Sequence, residues 1–296
     1  MNTIRNYYLG CPVWGYKDWV GNLFTADARP GDYLYQYSRV FNSVEGNNTF
    51  YGLPKKETVR RWQEAASPEF RFCFKFPRTI SHDSMLRFCD EELTRFFAVM
   101  EPLAGQIGLY FLQLSPAFGP EALPVLDDFL KNLPGDFRYA VEVRNEAFFD
   151  QGEGENRLNA LLEGLSVDRA LFDTGTLHNL ETADPGLVAA QRKKPRMPAR
   201  MTATGDYPML RFVGHNRTEP NLPRLQELAV AVAKWIRAGK RPFVFLHSPD
   251  ESYAPGLCRT FHQLLQAQLP GLDLGNVPEK YLPEEGAGGA QLSLFD

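Results

Sequence analysis

Hydrogen-bonding and ionisable residues recur along this chain at the ends of short apolar runs. In VEGNNTFYGLP, Glu45, Asn47 and Thr49 are spaced by two, so an extended segment turns all three to one side. YAVEVRNE sets Glu142 and Arg144 in the same relation. Lys75 stands before Pro77 with His82 beyond it, Gln113 closes GLYFLQ, and Asp173 closes DRALFD. Arg211 sits within MLRFV, and His247-Ser248 close FVFLHS. Carboxylates interleaved with cations suit acid–base chemistry on an anionic or polyhydroxylated substrate. In that reading Glu45 and Glu142 exchange protons, Lys75, Arg144 and Arg211 hold an anion, and Asp173 orients one of these groups. Trp14, Tyr16, Trp19, Phe50 and Tyr51 offer stacking walls for a sugar or base. Plainer readings stand beside these. Glu142–Arg144 fits a structural ion pair, Lys75 a partner for Glu45, the aromatics ordinary packing, and the two histidines supports for their neighbours. Glu45, Glu142, Asp173 and His247 together would suit a divalent metal ion, but no local motif such as HExxH accompanies them and the adjacent cations oppose one; a metal is not favoured, and any other cofactor stays open.

These residues need a scaffold that brings distant strand ends together. Strand-like runs occur at Tyr7–Cys11, Ser43–Asn48, Arg71–Phe76, Gly108–Leu114, Arg138–Val143, Ala170–Thr174, Pro208–Val213 and Pro242–His247. Helical periodicity fills the gaps, as in KKETVRRWQEAA and LPRLQELAVAVAKWIRAGK, the second begun at Asn221-Leu222-Pro223 and ended by Gly239. Strands alternating with helices predict an α/β fold, a (β/α)8 TIM-type barrel with its site at the C-terminal strand ends. An open doubly wound sheet fits less well, since no GxGxxG follows the first strand. The expected organisation is a single barrel domain over 5–270 and a flexible C-terminal tail over 271–296. The sixth unit is weak: 177–204 reads as loop more than helix and suits a lid.

Composition narrows the class. A hydrophobic fraction of 44% is ample for a core, and a net charge of -4 gives no broad footprint for duplex nucleic acid. Arg192, Lys193, Lys194, Arg196 and Arg200 crowd one stretch that reads as a solvated loop. The four cysteines are scattered, and neither a signal peptide nor a membrane span is apparent, so a cytoplasmic protein is expected, with no membrane partner.

Five segments in order, GCPVWGYKDW, VEGNNTFYGLP, FKFPRTISH, VEVRNEAFF and MLRFVGH, resemble the YecE-like family, also called domain of unknown function family 72. The resemblance implies a TIM-type barrel with a polar cavity at one mouth. It marks Glu45, Asn47, Thr49, Tyr51, Lys75, His82, Gln113, Glu142, Arg144 and Arg211, and it implies no particular reaction. Two departures stand out: His247-Ser248 replaces an Asn pair, and Val213-Gly214-His215 replaces a His-Gly pair after Arg211.

The sequence closes on GGAQLSLFD, where QLSLF resembles the peptide by which bacterial replication and repair proteins dock on the sliding clamp. Leu292, Leu294 and Phe295 would fill an apolar pocket while Gln291 fixes the register, and EEGAGGA would act as the tether. Two functions follow as expectations. One is an enzyme, a hydrolase, lyase or isomerase acting on a phosphorylated, sugar-like or nucleotide-like substrate. The other is a non-catalytic, clamp-associated accessory protein of DNA repair or replication that binds a ligand or nucleic acid in its mouth.

Overall fold

A computed structural model describes residues 6–283. Eight parallel strands form the barrel wall: β1 (Tyr8–Gly10), β2 (Ser43–Gly46), β3 (Arg71–Lys75), β4 (Ile107–Gln113), β5 (Tyr139–Glu142), β6 (Asp168–Asp173), β7 (Met209–Val213) and β8 (Phe243–His247). The helices outside are α1 (Tyr33–Val40), α2 (Asn48–Tyr51), α3 (Lys56–Ala65), α4 (Asp90–Met100), α5 (Leu123–Lys131) and α6 (Glu153–Gly164). They continue as α7 (Gly175–Asn179), α8 (Pro185–Lys193), α9 (Leu222–Arg237) and α10 (Ala254–Gln268). The expected (β/α)8 barrel is therefore the fold. The sixth unit, read as loop, contains two short helices instead; Asp184 caps α8 by accepting from the Leu187 amide at 2.9 Å.

Alternation along each strand sorts the side chains. Cys73, Leu109, Phe111, Ala140, Ala170, Met209, Phe243 and Phe245 fill the barrel interior. Their sequence neighbours, among them Phe72, Phe74, Tyr110, Leu112, Val141, Leu210 and Val244, pack outward under the helices. In α9, Leu225, Leu228, Ala229, Val232, Ala233 and Ile236 supply the buried stripe at helical spacing. Gly239 ends that helix at φ +81, a conformation that favours glycine. Asn221 precedes α9, but its side chain makes no cap bond; its amide braces the preceding turn through His215 and Arg217.

Seven of the eight junctions are strand ladders, and the junction of β1 with β2 is different. One backbone bond spans it, from the Glu45 amide to the Cys11 carbonyl at 3.1 Å. Side chains supply the rest. Tyr37 Oη accepts from the Cys11 amide at 2.7 Å and donates to the Ser43 carbonyl at 3.1 Å, while Asn42 bonds the Leu9 amide and the Tyr7 carbonyl. Gly10 permits this approach, since a Cβ there would lie 1.9 Å from the Ser43 carbonyl oxygen.

The barrel body extends past the expected boundary at residue 270. Leu274 and Val277 are buried, Gln266 and His262 bond the backbone at Leu274 and Gly275, and the Tyr281 amide donates to the Leu23 carbonyl at 2.9 Å. Apolar side chains seated among Pro and Gly hold this first part of the expected flexible tail, while the EEGAGGA tether, 284–290, lies outside the described residues. Gln291, Leu292, Leu294 and Phe295 lie outside the described residues.

Candidate functional site at the barrel mouth

The inward slots at the C-terminal strand ends hold Glu45 on β2, Lys75 on β3, Gln113 on β4, Glu142 on β5 with Arg144 just beyond, Arg211 on β7 and His247 on β8. Arg211 is the hub. Its Nε and Nη2 donate to the two oxygens of Glu45 at 2.8 and 2.6 Å, and its Nη1 donates to Glu142 Oε2 at 2.5 Å. The other Glu142 oxygen accepts from Arg144 Nε at 2.6 Å and pairs with its Nη2. Glu45 also accepts from Asn47 Nδ2 at 2.6 Å and from His247 Nε2 at 3.0 Å. Phe172, the inward residue of β6, faces the guanidinium of Arg144 at 3.9 Å and that of Arg211 at 5.1 Å.

This bonding fixes the charge states. Burial by itself would raise Glu45, but Arg211 and then His247 outweigh it and hold the carboxyl well below its usual range. Glu142 is lowered in the same way, its burial overcome by Arg144 and Arg211. Burial lowers His247 despite Glu45, leaving a neutral imidazole that donates from Nε2. Both carboxylates are thus ionised and held by guanidinium groups, which leaves them ill suited to shuttle protons.

Lys75 differs. It is only 7% exposed, donates to Gln113 Oε1 at 2.8 Å and lies 3.7 Å from the centre of the Phe50 ring. Its expected partner, Glu45, is occupied by Arg211, and among the described residues no carboxylate forms an ion pair with Lys75. Burial first, then Arg211, pushes its amine down to about 7, against the pull of Glu142 and Glu45. His82 packs edge-on to Phe50 at 5.1 Å and is lowered by burial and then by Lys75.

The other expected site residues divide. Asn47 and Gln113 join the cluster through Glu45, Lys75 and Arg144. Thr49 is a strut whose hydroxyl donates to the Lys75 carbonyl at 2.6 Å. Trp14 packs edge-on against Trp62 at 5.0 Å and Phe72 at 6.0 Å, outside β3 and away from the cluster. Tyr51 is 85% exposed on the rim. Asp173 belongs to the outward face of β6, where it accepts from Arg224 on α9 at 2.6 Å and from the Gly175 amide. It is a helix-to-strand brace, so the imagined metal set of Glu45, Glu142, Asp173 and His247 does not converge. Among the described residues no group of three His, Cys, Asp or Glu is placed to hold a metal ion.

Two mouth residues escaped sequence reasoning. Lys194, counted with the solvated basic loop, ends α8 beside the cluster, its amine lowered by burial and then by Arg211. Glu251, just after β8, is pushed up to about 8 by burial, with Lys194 opposing and Glu45 reinforcing the rise. Neither carries a local motif; only the fold brings them to the mouth. No helix among the described residues is long and apolar enough to cross a membrane.

The comparisons agree with this architecture. Two solved DUF72 family proteins share the fold: one from Thermotoga maritima, at TM-score 0.66 and 22% identity over 88% of this chain and 99% of that one, and one from Enterococcus faecalis, at TM-score 0.65 and 20% identity over 94% of this chain and 100% of that one. The UPF0759 protein YecE of Escherichia coli K12 is 42% identical over 271 residues, 92% of this chain and 96% of its own length. The family model described as "Protein of unknown function DUF72" matches residues 8–282, and the chain belongs to that family.

Proposed function

We propose that the mouth is the active site of an enzyme performing acid–base chemistry on a small phosphorylated, sugar-like or nucleotide-like molecule. The observation that carries the reading is the contrast between Lys75 and its neighbours. The carboxylates first expected to move protons are locked by guanidinium groups, while Lys75 is buried, without a carboxylate partner among the described residues, and poised near neutrality. Lys75 therefore takes the role of base. Glu251, which keeps its proton near neutral pH, is the matching acid on the β8 side. Lys194 and Arg144 meet the anion, and Asn47 and Gln113 offer amides to hydroxyl groups. The segment carrying α7 and α8, which ends at Lys194, admits the ligand by moving aside.

The test is to incubate the protein in deuterated water with a panel of phosphorylated sugars and nucleotides, following conversion and carbon–hydrogen exchange by NMR. Exchange or conversion that is lost in Lys75→Gln, with the melting temperature retained, supports the enzyme. Ligands that raise the melting temperature while none is ever exchanged or converted would instead identify the non-catalytic accessory protein.

The tail adds a location to this chemistry. Gln291, Leu292, Leu294 and Phe295 supply the register residue and apolar anchors of a clamp-docking peptide, and we propose that they tether the barrel to the bacterial sliding clamp. Titrating the full-length protein against the clamp, with and without residues 291–296, tests this. Micromolar binding lost on truncation supports the tether, and equal signals from both proteins end it.

A further inference from the structure

The mouth supports a sharper assignment of substrate class, one that rests on the acid–base reading above. We infer that Lys75 is a nucleophile that forms an imine with the carbonyl group of a small phosphorylated aldehyde or ketone.

Geometry sets Lys75 apart from a structural lysine. A buried lysine kept for stability is ordinarily paired, because an isolated ammonium is costly to desolvate. Here the carboxylates of Glu45 and Glu142 are both within the cluster, yet both are spent on Arg211 and Arg144. The amino group is left with one amide oxygen, Gln113 Oε1, and the face of Phe50. Neighbouring cations and burial both favour the neutral amine, the form that attacks a carbonyl carbon. The site thus supplies a nucleophilic nitrogen at the end of a barrel strand.

The step balances without a further reactant. The nitrogen lone pair forms the C–N bond while the carbonyl π pair moves to oxygen, which gains a proton as the nitrogen loses one. The resulting carbinolamine then loses its hydroxyl as water, taking up one proton, and the nitrogen lone pair forms the C=N bond. The product is a positively charged iminium plus water. Glu142 and Glu45, unable to act as bases, stabilise that charge, since both favour a cation at this nitrogen. The phosphate is matched by Lys194, which among the described residues has no carboxylate in ion-pair contact.

Borohydride trapping tests the assignment on the full-length protein. Glyceraldehyde 3-phosphate and dihydroxyacetone phosphate are each incubated with it, sodium borohydride is added, and the reduced adduct is located by peptide mass mapping. The expected result is an adduct at Lys75, lost in Lys75→Arg and in Lys75→Gln, with trapping that rises as pH passes through about 7. Lys194→Gln is expected to lower trapping of the phosphates several-fold more than that of unphosphorylated glyceraldehyde. No adduct, or adducts scattered over exposed lysines at the same level in Lys75→Arg, overturns the imine. A phosphate that shows solvent exchange yet leaves no trapped adduct ends the imine and spares the acid–base reading. An adduct at Lys75 without exchange or conversion of any ligand keeps the imine and ends the enzyme.

Discussion

The two ends of the barrel bury carboxylates equally well and treat them in opposite ways. At the mouth, Glu45 and Glu142 meet Arg211 and Arg144 and are held ionised. At the other end, Asp168 opens β6 beside a cleft of about 550 Å³ lined by Arg138, Gly205, Tyr207 and Lys240 among others. It is as buried as Glu142, but its oxygens meet backbone amides, that of Tyr207 at 3.0 and 3.2 Å, rather than a guanidinium, and Lys240 turns its amino group to the Gly205 carbonyl. Burial therefore pushes Asp168 up to about 7. The lesson is that burial raises a carboxylate in this fold unless a bonded guanidinium reverses it.

The largest expected effect tests that rule at the mouth. Arg211→Met strips Glu45 of its main partner and Glu142 of one of its two guanidinium groups, and denaturation in urea at pH 7 should show a loss of roughly 3–5 kcal/mol. A loss below about 1 kcal/mol, the scale of an exposed pair, would dissolve the distinction between the ends. Lys75→Met should act the other way. The amine titrates near 10.5 when unfolded and at about 7 when folded. The folded state thus bears the full penalty of the ammonium below pH 7, and the penalty fades as pH rises toward 10.5. The variant should gain roughly 1–3 kcal/mol at pH 6 and progressively less above pH 8; a gain that does not depend on pH would point to packing instead.

Asp168→Asn sharpens the comparison from the opposite end. Because the folded value lies at about 7 and the ordinary one at 3.8, the aspartate's contribution is fully present below pH 3.8 and lost as pH rises through 7. Asparagine keeps an oxygen for the Tyr207 amide, so thermal melts should favour the variant by roughly 1–2 kcal/mol at pH 8 and show no advantage at pH 4. Equal curves for both proteins at pH 8 would mean that Lys240 swings in to pair with the carboxylate. The smallest effect is expected at Lys131, whose exposed i,i+4 pair with Asp127 spans 2.6 Å. Lys131→Ala should shift stability by no more than about 0.5 kcal/mol, an internal scale for the other variants.

Much of this was legible in the residues themselves. Period-two spacing put Glu45 with Asn47 and Glu142 with Arg144, and the short apolar runs located every strand to within a few residues. Strand β6 resisted, because Asp168, Ala170 and Phe172 on one face and Arg169, Leu171 and Asp173 on the other are equally mixed. The inward slot went to Phe172, and Asp173 turned to Arg224. Pairings such as Glu45 with Arg211, 166 residues apart, have no local signature, so Lys75 looked like the natural partner of Glu45. Lys194 and Glu251 were hidden for the same reason: a lysine in a basic run and a glutamate in a loop acquire meaning only once the barrel closes around them.

The side-chain seam between β1 and β2 also bears on how the protein is made. A strand laid down first would ordinarily find its ladder partner in the next one to emerge from the ribosome. Here β1 meets β2 chiefly through Tyr37 and Asn42, and its regular register, Tyr8 to Phe243 through Gly10 to Phe245, is with the last strand. The first strand of the wall thus waits on the synthesis of more than two hundred further residues before it is fully paired. During that interval the nascent barrel has an open edge at β1, where a chaperone, or a second nascent copy, finds unpaired backbone.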